Sequence, residues 1–471
     1  MFESLRNAFR GRYPRHAFPA VLAAMVLLAL VPAPARAASP CAGSAAYLAA
    51  QYESDGRTQI AFNRIYGGLQ DLPAAYSYGG SSANPWKATG SGAGLAAKMG
   101  EFFRAWCTAR PEIEGASDNA LDPILYFAWL YFRNPAGQDF VQGRDPADPT
   151  RSLATGTTFL SQFNAQYRAY MDGPDPAAVV AEWIADPRIE IEDYAMREPG
   201  DYASWNALFT RNLTKGAEGG YPSRPVTMPE RDYVIVAPTD CIMNPLVQVL
   251  NQAGTETRRY IENPLAMDTV LDVKSIPISL DRLLGGAPEA LKEKFTGGSG
   301  LACVLMPNTY HHFHAPVDGT ILHAEIVETG SPGTPGTFGY PDFPNWVPPS
   351  GDVGRPGTDF SQFQAFQRGV IVIEVKYANL PGKEPAVLTG YVASIPVGLD
   401  SVGSVVLAEG VKPGAKVKKG VTPLGNFFYG GSLDILLFSK GMVSPAVQTR
   451  MGNQIAIINI GEAPPSPWSL D

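Results

Sequence analysis

After residue 230 the sequence breaks into short runs of apolar and β-branched residues, each ended by glycine or proline. β-Branched and aromatic residues favour strands, and Gly and Pro favour the turns between them, so this pattern predicts an antiparallel sheet. The predicted strands are residues 233–237, 270–278, 302–306, 320–327, 370–375, 390–397, 404–407, 433–438 and 455–460. One helix is predicted among them, at 281–294, and residues 330–359 form a loop of the length that is usual for a lid or an insert.

The first half of the chain has a different pattern. Apolar residues recur every three or four positions, the spacing of amphipathic helices, at 95–107, 122–132, 159–171 and 177–184. The 48 Gly and 42 Pro of the chain exclude an all-helical bundle. We therefore predict an α+β protein, with a helical N-terminal domain at 38–195 followed by a mostly antiparallel, β-rich domain at 196–471.

The first residues have the pattern of a targeting segment. A basic region is contributed by Arg6, Arg10, Arg12 and Arg15. An apolar run follows at 21–31, and then Ala35-Arg36-Ala37, a small-residue cleavage site. The alternative is a membrane anchor, but eleven residues at about 1.5 Å each cannot cross a hydrocarbon core of about 30 Å. We predict a signal peptide at 1–37 and an exported protein, periplasmic or secreted.

The chain is acidic. It carries 37 Lys and Arg against 45 Asp and Glu, and loss of residues 1–37 would remove five Arg and one Glu, which changes the net charge from −8 to −12. Nucleic acid and anionic lipid headgroups both repel an acidic protein. We expect no nucleic-acid partner, and peripheral membrane contact and the oligomeric state stay open.

The four cysteines all lie after the predicted cleavage site: Cys41, Cys107, Cys241 and Cys303. An even number in an exported chain permits two disulfides, with three pairings. Bridges Cys41–Cys107 and Cys241–Cys303 would each stay within one half of the chain. The alternative is four buried free thiols.

The histidines are clustered. His16 leaves with the signal peptide, and the remaining four are His311, His312, His314 and His323. A metal site is disfavoured, because successive residues of a strand point to opposite faces and His311, His312 and His314 cannot all face one ion. Two interpretations remain, namely structural histidines and acid–base catalysis near neutral pH.

Two further segments carry groups of interest. Gly430-Gly431-Ser432 precedes an apolar strand; it is either a plain turn or a place where a backbone carbonyl approaches the serine hydroxyl. It is not the G-x-S-x-G elbow of the α/β-hydrolases. Asp240 ends a hydrophobic run, where a carboxylate is either a turn residue or the partner that orients a histidine.

Taken in order, these motifs resemble the phosphatidylserine decarboxylase family over about residues 200–440. The matching segments are SWNALFTR at 204–211, Arg224-Pro225, APTD at 237–240, YHHFHAPVDG at 310–319, Val402-Gly403-Ser404, Lys419-Gly420 with Gly425-Asn426-Phe427, and Gly430-Gly431-Ser432. The helical first half resembles the extra N-terminal domain of one branch of that family, which includes members that act on free aromatic amino acids.

The resemblance implies a self-cleaving enzyme. Asp240 would orient His314, His314 would activate Ser432, and the chain would be cut between Gly431 and Ser432. The serine would pass through an ester and a dehydroalanine to a pyruvoyl group at position 432, which forms a Schiff base with a substrate amine and accepts electrons as CO₂ leaves. His311 matches the family histidine that is associated with decarboxylation. The implied cofactor is this pyruvoyl group, with no PLP and no metal.

The resemblance leaves the substrate, an amine-bearing carboxylate, undecided. Cys241 stands where many members have Gly, His312 replaces an Arg, and Thr422-Pro423 replaces a Glu pair. Phosphatidylserine, converted to phosphatidylethanolamine, is the default expectation, and a free amino acid, aromatic in the rival case, is the alternative. Outside this class stand a serine hydrolase with the same three residues and an inactive binding protein.

Overall fold

The fold is described from a computed structural model of the chain. It describes residues 40–443 apart from 72–80, 82, 109–125, 128, 132–133, 142, 176–178, 218, 253–254, 262–263, 274–275, 307, 328–367, 399–404 and 429–431. The predicted signal peptide at 1–37, the loop at 330–359 and the strand at 455–460 lie outside the described residues. Within the described part, no helix has the length and apolar character needed to cross a membrane.

The N-terminal part is helical. Its helices are α1 (Ala42–Ser54), α2 (Gly56–Gly67), α3 (Gly92–Cys107), α4 (Pro135–Val141), α5 (Thr155–Met171), α6 (Val180–Ile184) and α7 (Trp205–Phe209), with short 3₁₀ turns at Pro85–Thr89, Pro187–Ile189, Ile191–Asp193 and Pro199–Asp201. Polar side chains cap several of them: Asp55 accepts from two amides at the start of α2, and Ser91 accepts from the Gly94 amide in α3. A disulfide joins Cys41, just before α1, to Cys107 at the end of α3, which confirms that predicted bridge.

After Cys241 the described chain is mostly strand, and one short strand pair, β1 and β2, lies earlier, between α4 and α5. The strands are β1 (Arg144–Asp145), β2 (Asp148–Ser152), β3 (Ile242–Pro245), β4 (Val247–Gln252), β5 (Thr255–Tyr260), β6 (Val270–Val273), β7 (Ile276–Ser279), β8 (Ser299–Leu305), β9 (His312–His314), β10 (Gly319–Val327), β11 (Arg368–Ala378), β12 (Val387–Gly398), β13 (Val405–Leu407), β14 (Lys416–Val417), β15 (Pro423–Phe427) and β16 (Ser432–Phe438). The largest sheet has the order β14-β10-β11-β12-β16-β8-β3, and its paired strands are antiparallel. Smaller sheets are β13-β15-β9, β5-β4-β6-β7 and β1-β2.

Strand β16 lies inside the large sheet, between β12 and β8, and all its residues are buried. Its odd-numbered residues, such as Ile435, belong to the same hydrophobic core as Phe103 and Trp205 of the helical part. Leu436 and Phe438 pack on the other face, in a second core that includes Phe313 and Phe427 from the small sheet β13-β15-β9. Since side chains alternate along a strand, Ser432 and Asp434 lie on this second face.

The α+β prediction is confirmed, and most predicted strands and helices are present. The boundary at 195/196 stays a prediction, because one continuous core joins residues from both sides of it. Most of the predicted helix at 122–132 lies outside the described residues.

Three local predictions are wrong. Residues 233–237 are not part of a strand, and 270–278 form the hairpin β6–β7 in place of one strand. The helix predicted at 281–294 is divided into α8 (Leu280–Leu283), α9 (Glu289–Lys292) and a 3₁₀ turn, Glu293–Phe295. Gly285, with φ at +60°, ends the first helix, and Pro288 precedes the second.

Candidate active site

The histidine segment begins where β8 ends. Leu305, the last residue of β8, pairs with Ser432, the first residue of β16. Nε2 of His311 lies 3.1 Å from the carbonyl oxygen of Met306, the residue that follows Leu305. Because a carbonyl only accepts, Nε2 of His311 carries the proton in this bond. The fully buried His311 is therefore anchored one residue away from the strand partner of Ser432.

The SWNALFTR segment, residues 204–211, packs against the histidine segment, residues 308–314. Phe209 stacks on the ring of His311, with 3.8 Å between ring centroids. The carbonyl oxygen of Thr210 accepts a hydrogen bond from Nε2 of His312 at 2.9 Å. Nη2 of the buried Arg211 donates to the carbonyl oxygen of Asn308 at 2.7 Å. Three consecutive residues of this motif thus fix the histidine segment by stacking, by a backbone acceptor and by a buried cation.

His314 lies in β9 and is almost completely buried. Its Nε2 is 3.0 Å from the hydroxyl oxygen of Tyr310, and its backbone amide donates to the carbonyl of Pro238 at 2.7 Å. Burial, followed by the charge of His312, lowers the pKa of His314 to about 4, although a hydrogen bond to the Val421 backbone acts in the opposite direction. His314 is neutral at pH 7 and can accept a proton.

Asp240 forms a salt bridge with Arg224. Nε of Arg224 lies 2.9 and 3.0 Å from the two carboxylate oxygens, and Nη2 lies 2.8 Å from one of them. The same guanidinium binds Asp193 and Glu190. Burial lowers the pKa of Arg224, but the bonds and charges of Asp240 and Asp193 outweigh this and raise it above its usual value. Within the described residues, no hydrogen bond joins Asp240 to His314, and the role expected for Asp240 stays a prediction.

Ser432 is buried and lies between Gly398 of β12 and Leu305 of β8. Gly431, the other half of the predicted cleavage site, lies outside the described residues. Asp434 lies two positions after Ser432 on the same face of β16 and is fully buried. Its two carboxylate oxygens accept hydrogen bonds from the Ser394 hydroxyl at 3.0 and 3.2 Å. Burial raises the pKa of Asp434 to about 7, against the effect of the Ser394 bonds.

A cavity of about 1120 Å³ lies next to His314 and the Arg224–Asp240 salt bridge. Its polar end is formed by Arg224, Asp240, Tyr310 and His314, and its apolar wall includes Ile235, Met243, Leu301, Leu436 and Phe438. The cavity is thus lined both by side chains that can exchange protons or bind a charged group and by an apolar surface that can bind an apolar group.

The two remaining cysteines border these groups, since Cys241 follows Asp240 and Cys303 pairs with Asp434. Cys241 and Cys303 are free thiols, so the predicted second bridge is wrong. Cys303 pairs with Met243 of β3, and a hydrogen bond between the Cys303 and Cys241 thiols, together with burial, raises the pKa of Cys303. His323 lies on β10 beside Glu325, at 3.4 Å. No set of three His, Cys, Asp or Glu in the described part of the chain could hold a metal ion.

Sequence reasoning singled out His311, His314, Asp240 and Ser432 and missed their supports. Tyr310, Arg224, Phe209 and Arg211 all lie inside the quoted motifs, but their side chains are not typical nucleophiles or bases. Their order in the chain was the available signal, but the contacts of Phe209 and Arg211 with the histidine segment join residues about a hundred positions apart.

The sequence model of the family described as phosphatidylserine decarboxylase matches residues 205–457, just over half of the chain. Among similar curated proteins, the phosphatidylserine decarboxylase proenzyme of Pseudoalteromonas translucida is 27% identical over 163 residues, 35% of this chain and 48% of that protein. The proenzyme of Clostridium novyi is 26% identical over 194 residues, 41% of this chain and 52% of its own length. That of Vibrio vulnificus is 28% identical over 144 residues, 31% of this chain and 42% of its own.

The chain therefore spans about half the length of the curated relatives it matches. The matched region contains α7, the cavity, the histidine segment and Ser432. With a family match over more than half of its residues, this chain belongs to the phosphatidylserine decarboxylase family.

Proposed function

We propose that the chain is the proenzyme of a pyruvoyl-dependent carboxy-lyase, which cuts itself between Gly431 and Ser432 and then decarboxylates an amino-acid head group. Phosphatidylserine is the default substrate, with phosphatidylethanolamine as product. The observation that carries the proposal is the position of Ser432. It is buried at the head of an interior strand, and its pairing partner Leu305 leads directly into the segment that contains His311 and His314.

In the proposed cleavage, Oγ of Ser432 attacks the carbonyl carbon of Gly431 while His314 takes the hydroxyl proton. The peptide C–N bond breaks, the nitrogen receives a proton, and an ester links the two residues. Loss of the Cα proton of residue 432 then expels the Gly431 carboxylate and leaves a dehydroalanine. Its imine tautomer reacts with water, which releases ammonia and leaves the pyruvoyl group.

The residues present fit this group. It would replace a side chain that is already enclosed, and no PLP or metal is needed. When formed, its ketone supplies an electrophile for the substrate amine and an acceptor for the electrons left by CO₂. His311 is held by Phe209 and by the Met306 carbonyl, so we propose that it delivers the proton that replaces CO₂.

A free aromatic amino acid is the second candidate substrate. The guanidinium of Arg168 in α5 lies over the ring of Phe428, 4.5 Å from its centroid. The helical part thus contacts the segment just before Ser432, where it could restrict the size of a substrate. The acidic charge of the chain also favours a substrate outside an anionic lipid surface.

Intact-mass spectrometry tests the cleavage. We expect one chain that ends at Gly431 and a second, 432–471, that lacks an amino terminus, and Ser432→Ala should stay uncut. A single uncut wild-type chain would contradict the proposal; labelling of Ser432 by a fluorophosphonate would then indicate a serine hydrolase, and no labelling a binding protein. Cutting that persisted in Ser432→Ala would show that another residue is the nucleophile.

Release of CO₂ from serine phospholipid in micelles and from free amino acids decides the substrate. Release from free amino acids alone would exclude the lipid. We also propose export with removal of residues 1–37, and the same mass spectrum tests it, since the larger chain should begin at Ala38.

A further inference from the structure

Lys419 belongs to a sequence motif that the proposed chemistry does not use. It lies between β14 and β15, and only 1% of it is exposed. Its ammonium group donates to the carbonyl oxygens of Met228 and Val234, each at 3.2 Å, and to that of Arg231. An ammonium group has three protons, and each of them has a carbonyl acceptor here. The three carbonyl dipoles therefore replace the water that burial removes from this charge.

All three carbonyls belong to one loop, residues 224–240. The salt bridge between Arg224 and Asp240, which are sixteen positions apart, closes this loop at its base. No residue of the loop lies in a helix or a strand. Two of its large apolar side chains, Met228 and Tyr233, are 50% and 59% exposed. Burial of these side chains therefore contributes little to fixing the loop, and hydrogen bonds to its backbone have to contribute more.

The same loop forms one wall of the cavity, which is lined by residues 224–228 and 233–240. Gly420 also lines the cavity and has φ at +65°. A Cβ atom at this position would lie 2.6 Å from Cγ2 of Val226, so the chain can pass the loop this closely only with glycine. Lys419 and Gly420 thus hold the same wall, one by hydrogen bonds and the other by close contact.

We infer that Lys419 is a positioning residue for substrate binding, whose ammonium group fixes the loop 224–240 as a wall of the substrate cavity. This rests on the proposed decarboxylation, with the substrate bound in that cavity. The carbonyls that Lys419 binds lie in the middle of the loop, whereas the proposed cut is made at the start of β16. Loss of the ammonium group should therefore weaken substrate binding while the chain is still cut.

The test measures KM and kcat of the cut enzyme on the substrate that the wild type decarboxylates, serine phospholipid in micelles or a free amino acid. Lys419→Met has a similar length but donates no hydrogen bond. We expect a normal cut, a KM raised about tenfold and a kcat within about twofold of the wild type. Lys419→Arg keeps a charged donor and should recover part of the wild-type KM. Lys418→Met, at the exposed neighbouring lysine, is the matched control and should leave both constants unchanged.

A backbone ester tests the same contact without changing Lys419. The hydroxy-acid analogue of isoleucine at position 235 converts the amide between Val234 and Ile235 to an ester, whose carbonyl is a weaker acceptor. We expect this protein to be cut and its KM to rise about threefold.

The ester protein decides the question if Lys419→Met does not fold, which the absence of a cut would show. A wild-type KM in Lys419→Met, or in the ester protein where Lys419→Met stays uncut, would overturn the inference, as would a loss confined to kcat. A wild-type chain that is not cut, or that releases no CO₂ from either substrate, would overturn the proposed function itself, and the inference with it.

Discussion

Arg224 is the shared cation of Asp240 and two further carboxylates, since its guanidinium also binds Asp193 and Glu190. Asp240 and the residues just before it line the cavity, whereas Asp193 ends a 3₁₀ turn of the helical part and Glu190 lies between two such turns. One side chain therefore connects the helical part to the polar end of the cavity.

Arg224→Met should leave these carboxylates facing one another without a cation. Removing one partner of a buried ion pair costs about 3–5 kcal/mol, and because Arg224 is 28% exposed we expect about 2 kcal/mol, together with slower chain cutting. Arg224→Lys should recover part of the stability, because it keeps the charge without the forked geometry. Urea unfolding measures this, with Lys87→Met as control, whose exposed pair with Asp71 should contribute under about 1 kcal/mol. Equal losses for the two Met variants would contradict the assignment.

Phe209→Leu should separate the two proposed reactions. It keeps an apolar side chain in the core but removes the flat surface on which His311 stacks. We expect the chain to be cut normally and the cut enzyme to have a lower kcat, about tenfold, since His311 is proposed to act only after cleavage. Phe163→Leu, in the core of the helical part, is the control and should leave kcat unchanged. An unchanged kcat in Phe209→Leu would contradict the proposal that stacking on Phe209 holds His311 for decarboxylation.

Asp434 should make stability depend on pH. Burial raises its pKa to about 7, above the unfolded value, so its stabilising contribution is complete below about pH 4 and is lost as the pH rises through 7. Asp434→Asn cannot ionise, so its free energy of unfolding should rise relative to that of the wild type between about pH 4 and pH 7, by on the order of a few kcal/mol. A constant difference between Asp434→Asn and wild type would contradict a neutral buried carboxyl.

The number of free thiols in the chain can be measured directly. Alkylation of the unfolded chain without reductant should modify two thiols, Cys241 and Cys303, and prior reduction should expose four. The Cys41–Cys107 bridge closes a loop across 66 positions, so its replacement by two alanines should cost about 4 kcal/mol. The Cys241→Ala change should leave the bridge intact. If no thiol is modified before reduction, all four cysteines are in disulfides and the second bridge does form.

The sequence was informative where a pattern is local. Strand alternation located β16 and the helical spacing located α3, because each depends on neighbouring residues. The observed partners of Asp240 and His314 were not predictable, since Arg224 lies sixteen residues before Asp240 and the ring of Tyr310, which contacts His314, is fixed by tertiary stacking. The broken helix at 281–294 was missed because its apolar spacing was read across Gly285 and Pro288.

The pairing of β16 on both edges determines what kind of molecule cleavage would produce. From Ser432 to Phe438 every position has a partner on β12 or β8, or on both. The piece from 432 to 471 would thus remain as an interior strand of a sheet made by another polypeptide, as in a split protein reassembled from fragments. Unfolding would then separate two molecules, and regaining the fold would require them to meet, at a rate set by their concentration. The uncut precursor needs no such encounter, so folding has to precede the cut.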